Sequence, residues 1–367
     1  KGYETTVLTL GNYKSKKIEN GVEVHMLSTK ILDGFVGRFH KRIPKLRHYR
    51  YKLRALYLKV YYVFKLKFRD FDIIEFSDIN FPGFYFEKKL TNVIRLHGNY
   101  NTIYKIYEDD LSEANKKTWK SMIQFEKKYF HKVNNFTFMS HFIKNYFFDL
   151  NIVQNINTAV IYNPVDIEEF TFKENNNSEF TIVTTDRLER RKGMDMVLKL
   201  INLLIENYDG QKKIRFKILG DNRLSDSKNL LKYSKSLNEN VEFEFFGNTP
   251  KKELIRKIQN ADLFIGPSRF ESFSYSLFEA MSCGIPALVA NDHVYPEMVK
   301  EDFNGWIYEQ DNLEDMLRGF FKVLNLKDLT LKNVGKNART FVEKNAATDI
   351  IIDKTVAFYQ EILNDLK

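Results

Sequence analysis

Two stretches in the second half of the chain carry residues suited to holding an anion. The first is Asp186-Arg187-Leu188-Glu189-Arg190-Arg191-Lys192-Gly193, which follows a β-branched run and puts Arg187 and Lys192 in a loop ahead of a helical pattern. Arginine can grip a phosphate with two parallel N–H donors, and lysine acts as a point charge. Gly193 would let the turn enter the helix. The second runs from Pro267 to Ala280, with Glu271 in a loop and Glu279 on a helix that begins at Ser274 to Ser276. Backbone N–H groups of Phe273, Ser274 and Tyr275 would then lie at the positive end of the helix dipole. Two carboxylates eight residues apart, one before and one after a helix start, can face one ligand from different angles. Together these residues meet the needs of a nucleotide diphosphate bound without metal: fixed cations, a helix tip and acceptors for ribose hydroxyls. Singly each has a plainer reading, as a solvated basic loop or an acidic helix start that complements the dipole.

Such groups work only at the carboxyl ends of parallel strands. Short β-branched or aromatic runs alternate with helical patterns along the chain, which predicts parallel α/β architecture. In the first half, strands are expected at Thr5–Leu10, Val22–Leu27, Phe71–Phe76, Val93–Leu96, Phe136–Met139 and Ala159–Ile161, with a helix at Ser112–His131. Asn163-Pro164-Val165-Asp166 and the polar run 173–179 are loop chemistry and mark a domain boundary. The second half restarts with strands at Phe180–Thr184, Ile214–Leu219, Val241–Phe246, Leu263–Ile265 and Ala287–Ala290. Helices are expected at Met194–Tyr208, at Lys251–Asn260 with Thr249 as N-cap and Pro250 at its first position, near Ser276–Met281, and as a terminal pair.

At 367 residues, two domains are expected, and 43% hydrophobic residues can fill their cores. Mean hydropathy is −0.41 and charged residues make up 29%, which excludes an integral membrane protein and a disordered chain. No apolar run is long enough to span a bilayer, and the start carries no signal-peptide pattern. The single cysteine, Cys283, can form neither an internal disulfide nor a thiolate metal site, so a reducing, cytoplasmic setting fits best. Asp109-Asp110 superficially resembles a metal pair but reads as solvated, and no metal is expected.

Net charge is +9, unevenly spread. Residues 1–165 hold 28 Lys+Arg against 15 Asp+Glu, and the remainder 29 against 33. Twelve Lys/Arg and no acid lie within Arg38–Arg69, interleaved at helical spacing with Ile43, Leu46, Tyr49, Leu53, Leu56, Tyr57, Val60, Tyr61 and Phe64. That predicts a basic amphipathic helix. It could be a packed helix with a solvated face, a dock for an anionic membrane surface, or a nucleic-acid contact. Zinc spacing, a helix-turn-helix pattern and an aromatic RNP stretch are all missing, so no nucleic acid is expected.

The second half resembles the retaining glycosyltransferases of family 4. Ile161 to Asp166 is similar to that family's I-P-N-G-V-D linker, and Thr185 to Gly193 to its G-R-L-x-x-x-K-G phosphate loop. Ile218 to Asp221 resembles V-G-D-G, Phe246-Gly247 resembles L-G, and Ala261 to Ser268 resembles A-D-x-F-x-x-P-S. Glu271 to Pro286 resembles E-x-F-x-x-x-x-x-E-A-M-A-C-G-x-P. The first half matches more thinly, at Asp72 to Glu75, Leu96-His97-Gly98 and Phe138-Met139-Ser140. Lys1 to Thr9 is similar to R-G-H-E-V-T-V-L-T, the family's second strand, and 21–25 reads as its third. On that reading the first strand and its glycine loop are missing from this sequence. The alternative makes Thr5–Leu10 the first strand and Asn20 to Glu23 the glycine loop. Asp186 and Ser272 stand where the family has Gly, and Asn222 replaces a glycine.

The resemblance implies the GT-B fold, two doubly wound Rossmann-like domains facing across a cleft. Residues 1–165 would form the acceptor-side domain and 166–345 the nucleotide-sugar domain, with a helix at 346–367 packing back toward the first. It implies transfer, with retention and without cofactor or metal, from a nucleoside-diphosphate sugar, expected to be UDP-linked, to a glycan or lipid-linked acceptor in cell-surface polysaccharide synthesis. Arg187 and Lys192 would neutralise the diphosphate and stabilise the departing charge. Glu271 would hold the sugar's hydroxyls beside Phe273, Ser274 and Tyr275, and Glu279 the ribose. Gly220 and Asp221 belong to the donor site, Gly247 and Asn248 would border the base, and His97 would reach the sugar near its anomeric centre. An epimerase of the same shape and a catalytically silent partner subunit are the competing readings. The Arg38–Arg69 helix would place the protein at the inner face of the plasma membrane. Oligomeric state is not legible.

Overall fold

A computed structural model of the chain describes residues 3–11, 14–28, 56–57, 60, 71–78, 91–98, 101, 104, 107–108, 111–131, 133–153, 157–174, 178–221 and 238–365. The Arg38–Arg69 segment, apart from Leu56, Tyr57 and Val60, lies outside them, as do Asp109, Asp110 and Asn222. The chain divides into two compact units. One comprises Lys1–Phe138, Phe147–Ala159 and Tyr359–Lys367, the other Met139–Tyr146 and Val160–Phe358.

In the first unit, strands β1 (Thr6–Gly11), β2 (Ser15–Glu19) and β3 (Val22–Ser28) form a sheet in the order β1-β3-β2. Strands β4 (Ile73–Ser77), β5 (Thr91–Leu96), β6 (Asn135–Phe138) and β7 (Asn157–Val160) form a second, in sequence order. Helices α1 (Glu113–Phe130) and α2 (His141–Asp149) flank β6 in the chain. The first half thus has two sheets, not one, because no described strand pairs β1 with the other four. β1 and β3 are parallel, whereas β2 runs antiparallel to β3. Asn20 and Gly21 join them with φ of 52° and 79°, the two left-handed positions of a tight hairpin turn. The alternative that made Asn20 to Glu23 a glycine loop is corrected by this hairpin.

In the second unit, six strands are β8 (Phe180–Thr184), β9 (Ile214–Leu219), β10 (Val241–Gly247), β11 (Leu263–Gly266), β12 (Ala287–Ala290) and β13 (Gly305–Tyr308). All are parallel, in the order β10-β9-β8-β11-β12-β13. Every residue of β8, β11 and β12 is buried, as expected of parallel strands covered on both faces. The covering helices are α3 (Met194–Asn207), α4 (Lys251–Gln259), α5 (Tyr275–Ser282), the short α6 (Tyr295–Met298), α7 (Leu313–Leu324), α8 (Asp328–Asn345) and α9 (Thr348–Asn364). α3 buries Met194, Val197, Leu198, Ile201 and Leu204, a helical stripe against the sheet. This is a doubly wound sheet whose chain order reverses between β8 and β11, and ligands of such sheets bind at that reversal.

Local details differ from expectation at several points. Pro250, not Thr249, is the N-cap of α4, because its ψ of 142° is still extended, while Thr249 donates to the Gly247 carbonyl. Three long helices end the chain instead of two. The last residues of α9 belong to the first unit, within which the Tyr359 hydroxyl donates to Glu75 at 2.7 Å and Gln360 to the Tyr3 hydroxyl at 2.8 Å. Among the described residues no helix is long and apolar enough to cross a membrane.

The turn from β8 into α3 depends on Gly193. Its φ is 63°, and a Cβ there would lie 1.8 Å from the Pro267 carbonyl oxygen. Gly193→Ala should cost about 3 kcal/mol from left-handed strain plus overpacking, a fall of roughly 6–12 °C in Tm. A thermal melt checks this, and a variant melting with the wild type would mean the loop does not press on Pro267.

Candidate active site

The loops that leave β8 and β11 meet through one ammonium. The Lys192 Nζ lies 2.7 Å from the Asp186 carboxylate and also bonds the Glu271 carboxylate. Its side chain is only 12% exposed, and Asp186 and Glu271 are both buried. Hydroxyls complete the cluster: Ser268 donates to Glu271 at 3.0 Å, and Ser276 donates to Asp186 at 3.2 Å. Ser276 comes from the first turn of α5, which starts where Ser274 caps it by accepting from the Leu277 N–H. Sequence distance is large, 79 residues from Lys192 to Glu271, so the sheet's strand order alone brings them together.

Burial and pairing compete in this cluster. Burial pulls Lys192 down, but the charges of Asp186 and Glu271 outweigh it, and the ammonium is held above its ordinary value. Burial pushes the Glu271 carboxyl up by more than Lys192 pulls it down, and the Asp186 charge adds to the rise. Two buried carboxylates share the Lys192 ammonium, and the Arg191 charge adds a weaker pull on Glu271.

Arg187 stands on the same loop, 43% exposed, with only a 3.4 Å approach to Glu189. Arg191 is tied down instead, donating to the Phe270 carbonyl and to Glu189. Arg269 joins the two loops: it grips Asp195 of α3 through two N–H donors at 2.7 and 2.8 Å, bonds Asp311, and donates its backbone N–H to the Arg191 carbonyl. Glycines let the neighbouring strand ends close in. A Cβ on Gly220 (φ 138°) would lie 2.3 Å from the Asp186 carbonyl oxygen. The Gly220 N–H donates to the Gly247 carbonyl, and Leu188 N–H to the Asp221 carbonyl. The ends of β8, β9 and β10 thereby converge at Asp186.

Of the remaining sequence-derived residues, Phe273 and Ser274 are buried, Tyr275 is half-exposed and Asn248 exposed. Ser140 Oγ donates to the Ser272 carbonyl and so fixes the loop beside Glu271. Glu279 is partly buried on α5, where burial and the charges of Asp186 and Glu169 raise its carboxyl to about 7 against the pull of Lys251. His97 belongs to the first unit, at the end of β5. Its backbone N–H and that of Gly98 donate to Asp78 at 2.8 and 2.9 Å, and its Nδ1 lies 3.3 Å from the same carboxylate. Cys283 is fully buried, and burial pushes its thiol up to about 12, which suits packing and not nucleophilic attack. Among the described residues no three His, Cys, Asp or Glu gather as for a metal ion.

Sequence reasoning missed Asp186 as a partner of Lys192, the hydroxyls of Ser268 and Ser276, and the loop-joining Arg269. Only Arg269 carried a usable signal, a cation between two loops otherwise rich in small residues. The buried Thr185 hydroxyl, adjacent to Asp186, has no hydrogen-bond partner.

The profile described as Glycosyltransferase Family 4 matches residues 1–169, and that described as Glycosyl transferases group 1 matches residues 166–341. The chain belongs to glycosyltransferase family 4 and has the GT-B fold class. Among its relatives, the UDP-Gal:alpha-D-GlcNAc-diphosphoundecaprenol alpha-1,3-galactosyltransferase of Escherichia coli is 25% identical over 221 residues, 56% of each chain. The poly(ribitol-phosphate) alpha-N-acetylglucosaminyltransferase of Staphylococcus aureus is 25% identical over 170 residues, 46% of this chain and 33% of that protein. The chain thus spans about half or less of these relatives' length. Among solved structures, sucrose-phosphate synthase from Thermosynechococcus elongatus superposes with a TM-score of 0.73 at 14% identity, over 99% of this chain and 90% of that one. HepE of Anabaena, in complex with UDP and glucose, gives 0.64 at 16% identity, over 99% of both.

Glu279 gives a pH-dependent prediction. Its folded carboxyl titrates at about 7 against an ordinary 4.5, so the folded state binds the proton more tightly. That contribution is fully present below pH 4.5 and is lost as pH rises toward and through 7. Glu279→Gln should therefore flatten the decline in Tm across this window and melt higher than the wild type at pH 8. Parallel Tm–pH curves for the two proteins would show that Glu279 is not desolvated.

Proposed function

We propose that the chain is a retaining glycosyltransferase that moves a sugar from a UDP-linked donor to a glycan or lipid-linked acceptor in bacterial cell-surface polymer synthesis. The observation that carries this reading is the bond of Lys192 to Glu271, with Arg187 on the same loop as Lys192, where the strand order of the second unit reverses. As the bond from the anomeric carbon to the diphosphate breaks, its electron pair leaves on the β-phosphate. Arg187 and Lys192 stabilise that developing charge, the kind of preorganised electrostatics that accounts for much of enzymatic rate enhancement. Glu271 and the backbone of Phe273 to Tyr275 hold the transferred sugar, Glu279 the ribose hydroxyls, Gly247 and Asn248 the edge of the base, and Gly220 and Asp221 the floor of the donor site. Residues 1–165 form the acceptor side, 166–345 the donor side, and 346–367 the returning helix. The activities of the two relatives, one using UDP-Gal and a diphosphoundecaprenol acceptor and the other a poly(ribitol-phosphate) acceptor, support a UDP-linked donor and a lipid-diphosphate or polymer acceptor. The twelve cations of Arg38–Arg69 favour work at the cytoplasmic face of the plasma membrane.

A panel of sugar nucleotides, followed for diphosphate release with and without membrane extract, separates this reading from its rivals. Release only with extract is the expected result. A changed sugar without release would mean epimerisation, and neither release nor binding a silent partner. Arg187 offers the cleaner mutant, since removing Lys192 would strand two buried carboxylates and destabilise the fold. Arg187→Ala should leave Tm within about 1 °C of wild type, as exposed pairs contribute little, yet slow diphosphate release by roughly 10²-fold. Unchanged turnover would refute the phosphate-clamp role.

A further inference from the structure

One group at the site has no place in the scheme above. Asp186 takes the Lys192 ammonium at 2.7 Å, although Glu271 already pairs with it, so the second carboxylate over-neutralises the cation. Asp186 is not there by loose packing. Its side chain accepts from Ser276 at 3.2 Å, and its backbone is wedged against Gly220, where even a Cβ would collide with the Asp186 carbonyl. The carboxylate is therefore fixed beside the Lys192 ammonium, while Arg191 and Arg269 on the adjoining loops bond Glu189, Asp195 and Asp311, Arg191 also pulling on Glu271. A structural ion pair needs one carboxylate. A second, buried and held in place, adds unfavourable charge exactly once the ligand is itself an anion, because a buried charge is screened little.

We propose that Asp186 is an affinity-setting residue, a fixed carboxylate that competes with the ligand's phosphate for the Lys192 ammonium and so weakens the hold on nucleoside diphosphates. The consequence is turnover. A site that grips a diphosphate strongly enough to stabilise its departure also tends to retain it, and Asp186 restores the lysine's partner as the diphosphate leaves. This inference rests on the phosphate-clamp reading of Arg187 and Lys192. A merely structural Asp186 would give weaker binding when mutated, whereas a competing carboxylate gives tighter binding.

The test is isothermal titration of wild type, Asp186→Asn, Asp186→Gly and Arg187→Ala with UDP and with uridine, alongside their Tm values. Asn keeps the size and the Ser276 contact while removing the charge, and Gly removes the side chain should Asn fold poorly. The expected result is UDP binding at least about tenfold tighter in the Asp186 variants, with uridine unchanged. Weaker UDP binding by Arg187→Ala would accompany it. UDP affinity unchanged or reduced in well-folded Asp186 variants, while Arg187→Ala still weakens it, would overturn the role of Asp186 and spare the clamp. Equal tightening of UDP and uridine would also overturn it, since the effect would not act through phosphate. No response of UDP binding to Arg187→Ala would remove the clamp itself, and this inference with it.

Discussion

A single buried ammonium shared by two carboxylates organises the second unit. Lys192 reaches Asp186 on its own loop and Glu271 on the loop after β11, so the cation ties together two loops that Arg191 and Arg269 also bridge. Taking such charges out of water is costly, and losing one member of a buried pair costs several kcal/mol because the other is left uncompensated. The exposed pairs elsewhere, such as Lys17 with Glu19, contribute far less. The surrounding structure can be understood as what keeps this cluster in place: the grip of Arg269 on Asp195, the close approach of Gly193 to Pro267, and the Ser274 cap that starts α5.

Topology decides why the cluster lies where it does. Chain order in the sheet reverses between β8 and β11, and in doubly wound sheets ligands bind at the carboxyl ends of the strands at such a reversal. Electrostatics then decides what such a site can hold. The Asp186 carboxylate beside Lys192 opposes an anionic ligand, while the half-exposed Arg187 favours one. The balance suits a site that must bind a diphosphate and then let it go.

Much of the second unit was legible because its strands are short runs bounded by turn residues, fully buried in β8, β11 and β12 and alternating in β9. Phe180–Thr184, Ile214–Leu219 and Ala287–Ala290 coincide with the predicted strands to the residue. β2 was illegible because four of its five residues are exposed, which erases the alternation that marks a strand. Lys192 and Glu271 could be picked out by spacing and by family resemblance. Asp186 could not, because along the sequence it is only a departure from glycine. Its meaning depends on Ser276, ninety residues on, and on the pressure of Gly220 against its backbone. Similarly, Asp78 beneath His97 follows from the register that aligns Ser77 with Arg95, and register is not written in composition.

The most direct test is a crystal structure of the chain with UDP. The diphosphate is expected at the ends of β8 and β11, with its oxygens in hydrogen-bond reach of both Lys192 Nζ and the Arg187 guanidinium. UDP held elsewhere, or held while both of these cations point away from its phosphates, would contradict it.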